Sequence, residues 1–157
     1  EFEQAHNDYC KVVPKYCSLE YFISNIKSNQ KRIKMLFAMS PEVMPPLIRF
    51  INANGYNKYL DFVKSTDNYY EMLPKNCSKG TALEHYKQIF GLKDVVIVSA
   101  GDYNNDLEML KTSHIGVAPN NALDIVRKSA DFVTNHNNNT GAIAETIDYI
   151  ISKFLSY

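Results

Sequence analysis

The chain has 157 residues, enough for one ordinary domain or two small lobes that share a border. A hydrophobic content of 45% supports a real core and argues against disorder. The 17 Lys plus Arg are balanced by 17 Asp plus Glu, and a nucleic-acid surface normally shows as a basic excess or stripe.

Residues 1–16 are polar and tyrosine-rich with no clear period, and they open as though cut from something longer. Leu19 to Ile23 with Ile26 predicts an amphipathic helix capped by Ser18. Arg32 to Met39 predicts a strand. Ser40-Pro41-Glu42 offers a helix start, but Pro45 and Pro46 move the expected start toward Pro46, because a deeper proline loses a hydrogen bond. That helix carries Leu47, Ile48, Phe50 and Ile51 to a stop at Asn54-Gly55. Tyr59 to Ser65 and Tyr69 to Leu73 predict two strands joined by a turn at Thr66-Asp67-Asn68. Strand, helix, strand, strand makes a small α+β lobe, residues 1–74.

The pattern changes after Pro74. Lys79-Gly80 leads into a helix with Ala82, Leu83, Tyr86, Ile89 and Phe90 on one face, ended by Gly91. Val95 to Ser99 is wholly apolar up to its final serine and rich in β-branched residues, which predicts a strand buried on both faces. Gly101 breaks it, and Asn105 or Asp106 is placed to cap a helix that turns Leu107, Met109 and Leu110 inward. A strand at Ile115–Ala118, a short helix from Asn121 to Lys128 and a strand at Asp131–Thr134 follow. The last helix bears a stripe of Ile143, Ile147, Ile150, Ile151 and Phe154. Alternating strands and helices imply a parallel sheet, so residues 75–157 read as α/β. The polar string after Val98 then lies at the carboxyl end of that sheet, where open α/β folds keep their ligands.

The longest apolar runs are too short for a bilayer, and no signal-peptide pattern opens the chain. Cys10, Cys17 and Cys77 have no paired spacing and read as reduced thiols of a cytoplasmic protein. His6, Cys10 and Cys17 match no common zinc pattern, so no zinc is expected there.

Four segments line up in order: Lys79 in SKG, Gly101-Asp102 with Asn105-Asp106, GVAPNNA at Gly116–Ala122, and Asp131-Phe132-Val133-Thr134 before Gly141. Together they resemble the C-terminal part of the haloacid dehalogenase-like (HAD) superfamily, in its Cof-like branch of sugar and small-metabolite phosphatases. The resemblance implies half of a Rossmann-like core over residues 75–157, preceded by part of an α+β cap over residues 1–74. It also implies chemistry on a phosphate monoester through an aspartyl-phosphate, with Mg2+. Asp102 is then the metal ligand, a hard oxygen donor suited to magnesium. Lys79 neutralises the phosphoryl charge and Asp106 orients that lysine. Asn105 bonds the phosphate or a metal-bound water, and Asn121 lines the same pocket.

One departure counts as much. The family's nucleophile lies in a D-x-D-x-T segment, and this chain contains no D-x-D. Without that carboxylate a covalent step has no acceptor. The chain therefore reads as the C-terminal portion of a phosphatase, and by itself as inactive. The alternative is a non-catalytic HAD-like module that binds a phosphorylated ligand. By the same resemblance, the nucleophile strand would lie along one edge of the Val95–Ser99 strand. The expected partners are thus the remaining half of the parent, or a second copy through that open edge.

Overall fold

A computed structural model describes Asp8, Lys11, Val13, residues 16–25 and residues 34–155. His6, Cys10, Ile26 and Arg32, named above, lie outside the described residues. The chain folds as two units, Glu1–Lys75 and Asn76–Tyr157.

In the first unit, helix α1 (Leu19–Asn25) starts at Ser18, whose Oγ accepts the Tyr21 N–H at 3.2 Å. Strand β1 (Met35–Ala38) precedes helix α2 (Met44–Ala53). Pro45 and Pro46 fall in the first turn of α2, where an N–H has no partner in the helix to lose. The helix therefore begins two residues before Pro46, at Met44. Strands β2 (Leu60–Lys64) and β3 (Tyr69–Pro74) form the expected hairpin, with β1 on the far side of β3 in an antiparallel sheet. Thr66 Oγ1 fixes the turn by accepting the N–H groups of Asn68 and Tyr69 at 3.2 and 3.1 Å. The core is Met44 and Ile51 from α2 against Tyr70, with Phe37, Leu47, Ile48 and Phe62 around them.

The second unit runs helix α3 (Lys79–Ile89), strand β4 (Val98–Ala100), helix α4 (Leu107–Thr112), strand β5 (Ile115–Ala118), helix α5 (Asp124–Ser129), strand β6 (Phe132–Val133) and helix α6 (Ala142–Phe154). The three strands are parallel in the order β4-β5-β6, which makes the unit the α/β fold that the alternation implied. Leu110, Ala118, Ala122 and Val126 form its core. On α6, Ala142 and Thr146 are buried, and Tyr149 stacks on Phe132 with ring centroids 4.1 Å apart.

Three expectations need correction. The strand does not run from Val95: pairing with β5 begins at Val98, and Val95 and Val96 are 40% and 54% exposed. The carbonyl of Ile97 accepts the N–H groups of His114 and Ile115, so β5 offers no ladder further upstream. Helix α3 does not bury its aromatic face. Tyr86 and Phe90 instead pair on the surface with ring centroids 4.5 Å apart, and Ile89 is 77% exposed. The buried position of α3 is Gly80, where an added Cβ would stand 2.5 Å from Glu108 Cγ. A bare backbone at residue 80 is thus what lets α3 lie against α4.

The third correction concerns Asp106. It stands at the start of α4 but makes no forward cap, because its carboxylate is engaged elsewhere.

Candidate active site

Lys79 is the first residue of α3, and that start is locked. Ser78 Oγ accepts the Thr81 N–H at 3.0 Å, and Thr81 Oγ1 accepts the Ser78 N–H at 2.9 Å. From there Lys79 Nζ reaches Asp106 Oδ1 at 2.5 Å. Asp106 is 4% exposed and ends a short 3-10 turn over Asn104–Asp106. Its second oxygen, Oδ2, accepts the backbone N–H groups of Asp102 at 3.0 Å and Tyr103 at 3.2 Å. One buried carboxylate thereby fixes a cation and the loop that leaves β4.

Gly101 makes this geometry possible. A Cβ there would lie 2.3 Å from Asp106 Cβ and 2.8 Å from its Cγ, closer than atoms can approach. The Asp102 carbonyl accepts the Leu123 N–H at 3.0 Å, which ties the loop after β4 to the segment after β5. The Asp102 side chain stays exposed, and its carboxylate has no hydrogen-bonding partner among the described residues.

A cavity of about 550 Å³ opens beside these groups. Lys79, Gly101, Asp102 and Asp106 give it a charged part. Met109, Val117, Pro119, Ala142 and Ile143 make most of the remainder apolar, with Asn138 and Thr146 also on the lining. Of the five residues expected at the site, the cavity thus gathers Lys79, Asp102 and Asp106. Asn105 sits half-buried inside the 3-10 turn and does not line the cavity. Neither does Asn121, which is exposed and bonded to Asn138.

Sequence reasoning missed the order in the asparagine-rich loop. Glu145, in the first turn of α6, accepts four hydrogen bonds: from Asn135 N and Nδ2 at 2.9 and 2.7 Å, and from His136 N and Nδ1 at 3.0 and 2.9 Å. The Asn135 backbone N–H and then the His136 ring hold the Glu145 carboxyl down from 4.5 to about 2. Its only trace in the sequence is an acid in the first turn of a helix.

Residues 4–147 match the haloacid dehalogenase-like hydrolase family. The chain belongs to that family. A Streptococcus pyogenes member, provisionally named a phosphatase, is 33% identical over 114 residues, which cover 73% of this chain and 42% of that protein. The phosphoglycolate phosphatase 2 of Saccharolobus solfataricus is 31% identical over 63% of this chain and 46% of its own length. Among solved structures, protein TM0651 of Thermotoga maritima superposes with a TM-score of 0.71 at 28% identity, over 96% of this chain and 54% of that one. The chain thus spans about half the length of the HAD-like proteins it matches. Among the described residues, no helix is long and apolar enough to cross a membrane.

Proposed function

We propose that residues 75–157 supply the charge-neutralising half of a HAD-like phosphatase site for small phosphorylated metabolites, and that residues 1–74 are part of its cap. The observation that carries this reading is the Lys79–Asp106 pair beside Asp102 at the carboxyl end of β4, all three on one cavity. A lysine held by a buried carboxylate is a fixed point charge, suited to a phosphoryl group that gathers negative charge as its ester bond breaks. Asn105, one residue before Asp106, is the further phosphate-side donor in this proposal. The substrate class follows the names of the relatives, which act on small phosphate esters.

Magnesium fits the site through one ligand. Asp102 offers an exposed carboxylate, and magnesium takes one or two carboxylates with waters and substrate oxygens completing its shell. Among the described residues no group of three His, Cys, Asp or Glu gathers there. When bound, the ion supplies charge stabilisation to the phosphoryl oxygens. Asp102 would hold it, Lys79 would take the phosphoryl group, and Asp106 would keep Lys79 and the Asp102 backbone in place.

Two features describe what the site needs from elsewhere. This chain has no D-x-D segment, so the aspartyl-phosphate acceptor of the proposed reaction is not among its residues. Strand β4 is also an edge. Ile97, Ser99 and Gly101 face β5, so Val98 and Ala100 turn their N–H and C=O groups outward, where no described strand pairs with them. A parallel strand from the half of its relatives that this chain does not span is the occupant we propose for that edge. The missing D-x-D also keeps the second reading open, a module that binds a phosphorylated ligand without turning it over.

Titration calorimetry with inorganic phosphate, in magnesium buffer, tests the core of the proposal. Binding is expected, and Lys79→Ala should weaken it at least tenfold. Phosphate affinity unchanged in Lys79→Ala would overturn the assignment.

A further inference from the structure

The two asparagines Asn121 and Asn138 form a reciprocal clasp between the segment after β5 and the loop after β6. The Asn138 backbone N–H donates to Asn121 Oδ1 at 3.2 Å, and Asn121 Nδ2 donates to Asn138 Oδ1 at 3.0 Å. A backbone N–H can only donate, so the Asn121 oxygen must face it. Its nitrogen must then face an acceptor, which makes the facing atom of Asn138 its oxygen. Both amides are thereby oriented by a single main-chain group. What remains is Asn138 Nδ2, a donor with no hydrogen-bonding partner among the described residues, on a residue that lines the cavity.

The loop under this donor is held from several sides. Glu145 fixes Asn135 and His136 through four bonds. Asn120 N–H donates to the His136 carbonyl at 3.3 Å, and Asn137 N–H donates to Thr140 Oγ1 at 3.0 Å. A donor on a loop so tied is placed before a ligand arrives, which lowers the ordering cost of binding. Its chemistry also differs from the rest of the lining. Lys79, Asp102 and Asp106 are charged, and the Thr146 hydroxyl is already donated to the Ala142 carbonyl at 2.7 Å. The other lining side chains are apolar. Asn138 thus brings the cavity an uncommitted neutral donor.

We propose that Asn138 is a specificity-determining residue whose Nδ2 takes a hydroxyl or carbonyl oxygen on the organic part of the phosphorylated ligand, with Asn121 as the residue that positions it. This rests on the reading that Lys79 takes the phosphoryl end: the cation meets the anion, and the neutral amide meets a neutral acceptor.

The test compares two probes on the full chain, inorganic phosphate and ribose 5-phosphate, which share the charged group and differ in the oxygens beyond it. Asn138→Ala keeps the backbone bond to Asn121 and removes the amide together with its bond from Asn121 Nδ2. It is expected to weaken ribose 5-phosphate about tenfold, the effect of losing one well-placed hydrogen bond, while inorganic phosphate stays within about twofold. Asn121→Ala should lower the same ratio by a smaller factor. In the unmutated chain, the Asn138 side-chain amide resonances should shift with ribose 5-phosphate and not with inorganic phosphate, a readout that needs no variant to fold. Equal weakening of both probes would mean a structural role and would overturn the proposal. So would an unchanged ratio or unmoved amide resonances while phosphate binding still depends on Lys79, and in that case the phosphatase reading survives. If neither probe binds, or if Lys79→Ala binds both as before, that reading fails and this assignment goes with it.

Discussion

Lys79 Nζ stands 2.5 Å from Asp106 Oδ1, although 27 residues separate them in the chain. The lysine side chain is half exposed and the carboxylate is buried, so the two do different work. Asp106 is the fixed element, held in place by the N–H groups of Asp102 and Tyr103, and Lys79 is the arm that it aims.

Asp106→Ala should therefore cost more than one ion pair. Two backbone N–H groups lose their acceptor, and about 2–3 kcal/mol of stability is expected to go with them. Chemical denaturation measures the loss, and phosphate titration should show binding weakened as in Lys79→Ala. A variant as stable as the parent would mean that water replaces the carboxylate without cost.

Gly101→Ala should act through the same group. The new methyl would stand 2.3 Å from Asp106 Cβ, so the loop or the carboxylate must move. About 2 kcal/mol of destabilisation is expected, in the range of overpacked cores. Gly91→Ala is a control without a clash, since nothing lies within 4 Å of a Cβ there, although its φ of +61° brings backbone strain of its own. Thermal melts that rank Gly101→Ala no lower than Gly91→Ala would contradict the packing argument.

The pH dependence follows from Glu145. Its carboxyl is lowered from 4.5 to about 2 in the fold, so its contribution to stability is present above pH 4.5 and is lost as pH falls toward 2. Glu20 and Glu42 are lowered too, each by a backbone N–H and then a serine hydroxyl, so acid unfolding as a whole does not isolate Glu145. The difference between the parent and Glu145→Gln does. That difference should shrink steadily between pH 4.5 and 2 in denaturation curves, and a constant gap would show that the four hydrogen bonds do not depend on charge.

Catalysis by this chain alone is not expected. Purified chain should show no enzyme-like turnover of p-nitrophenyl phosphate, because it holds no D-x-D segment to supply the covalent acceptor of the proposed reaction. Magnesium should bind more weakly than micromolar, since the neighbouring Asp106 carboxylate is spent on Lys79 and the loop, which leaves Asp102 as the one carboxylate offered. Turnover that vanishes in Asp102→Asn would reverse the first expectation, and micromolar affinity by calorimetry the second.

Association should follow from the β4 edge. Val98 and Ala100 present outward-facing backbone groups, and Ile143, Ile147 and Ile151 of α6 are 61%, 50% and 48% exposed. Unpaired edges and apolar stripes both favour contact with another chain. In isolation the chain should self-associate, with light scattering showing species above 18.0 kDa. A monodisperse monomer that unfolds cooperatively would show the edge to be adequately protected.

The sequence alone determined the elements and the order of the chemistry. Ser18 marked α1, Thr66-Asp67-Asn68 marked the hairpin, and Gly101-Asp102 marked the end of a parallel strand. These signals are local, because caps, turns and breaks act through residues a few positions apart. Lys79, Asp102 and Asp106 were legible as a set through the family resemblance alone, which rests on the order of several short segments. What only the tertiary structure decided is where polar groups that have a choice of partner spend their hydrogen bonds. A free Asp106 would cap α4, but the close approach at Gly101 and the arrival of Lys79 from α3 turn its carboxylate back toward the loop. Asn121 could have faced the cavity, but the Asn138 N–H takes its oxygen. The burial of α3 was equally undecided in the sequence. The contact with α4 falls at Gly80, where a Cβ would meet Glu108, and Tyr86, Ile89 and Phe90 stay exposed.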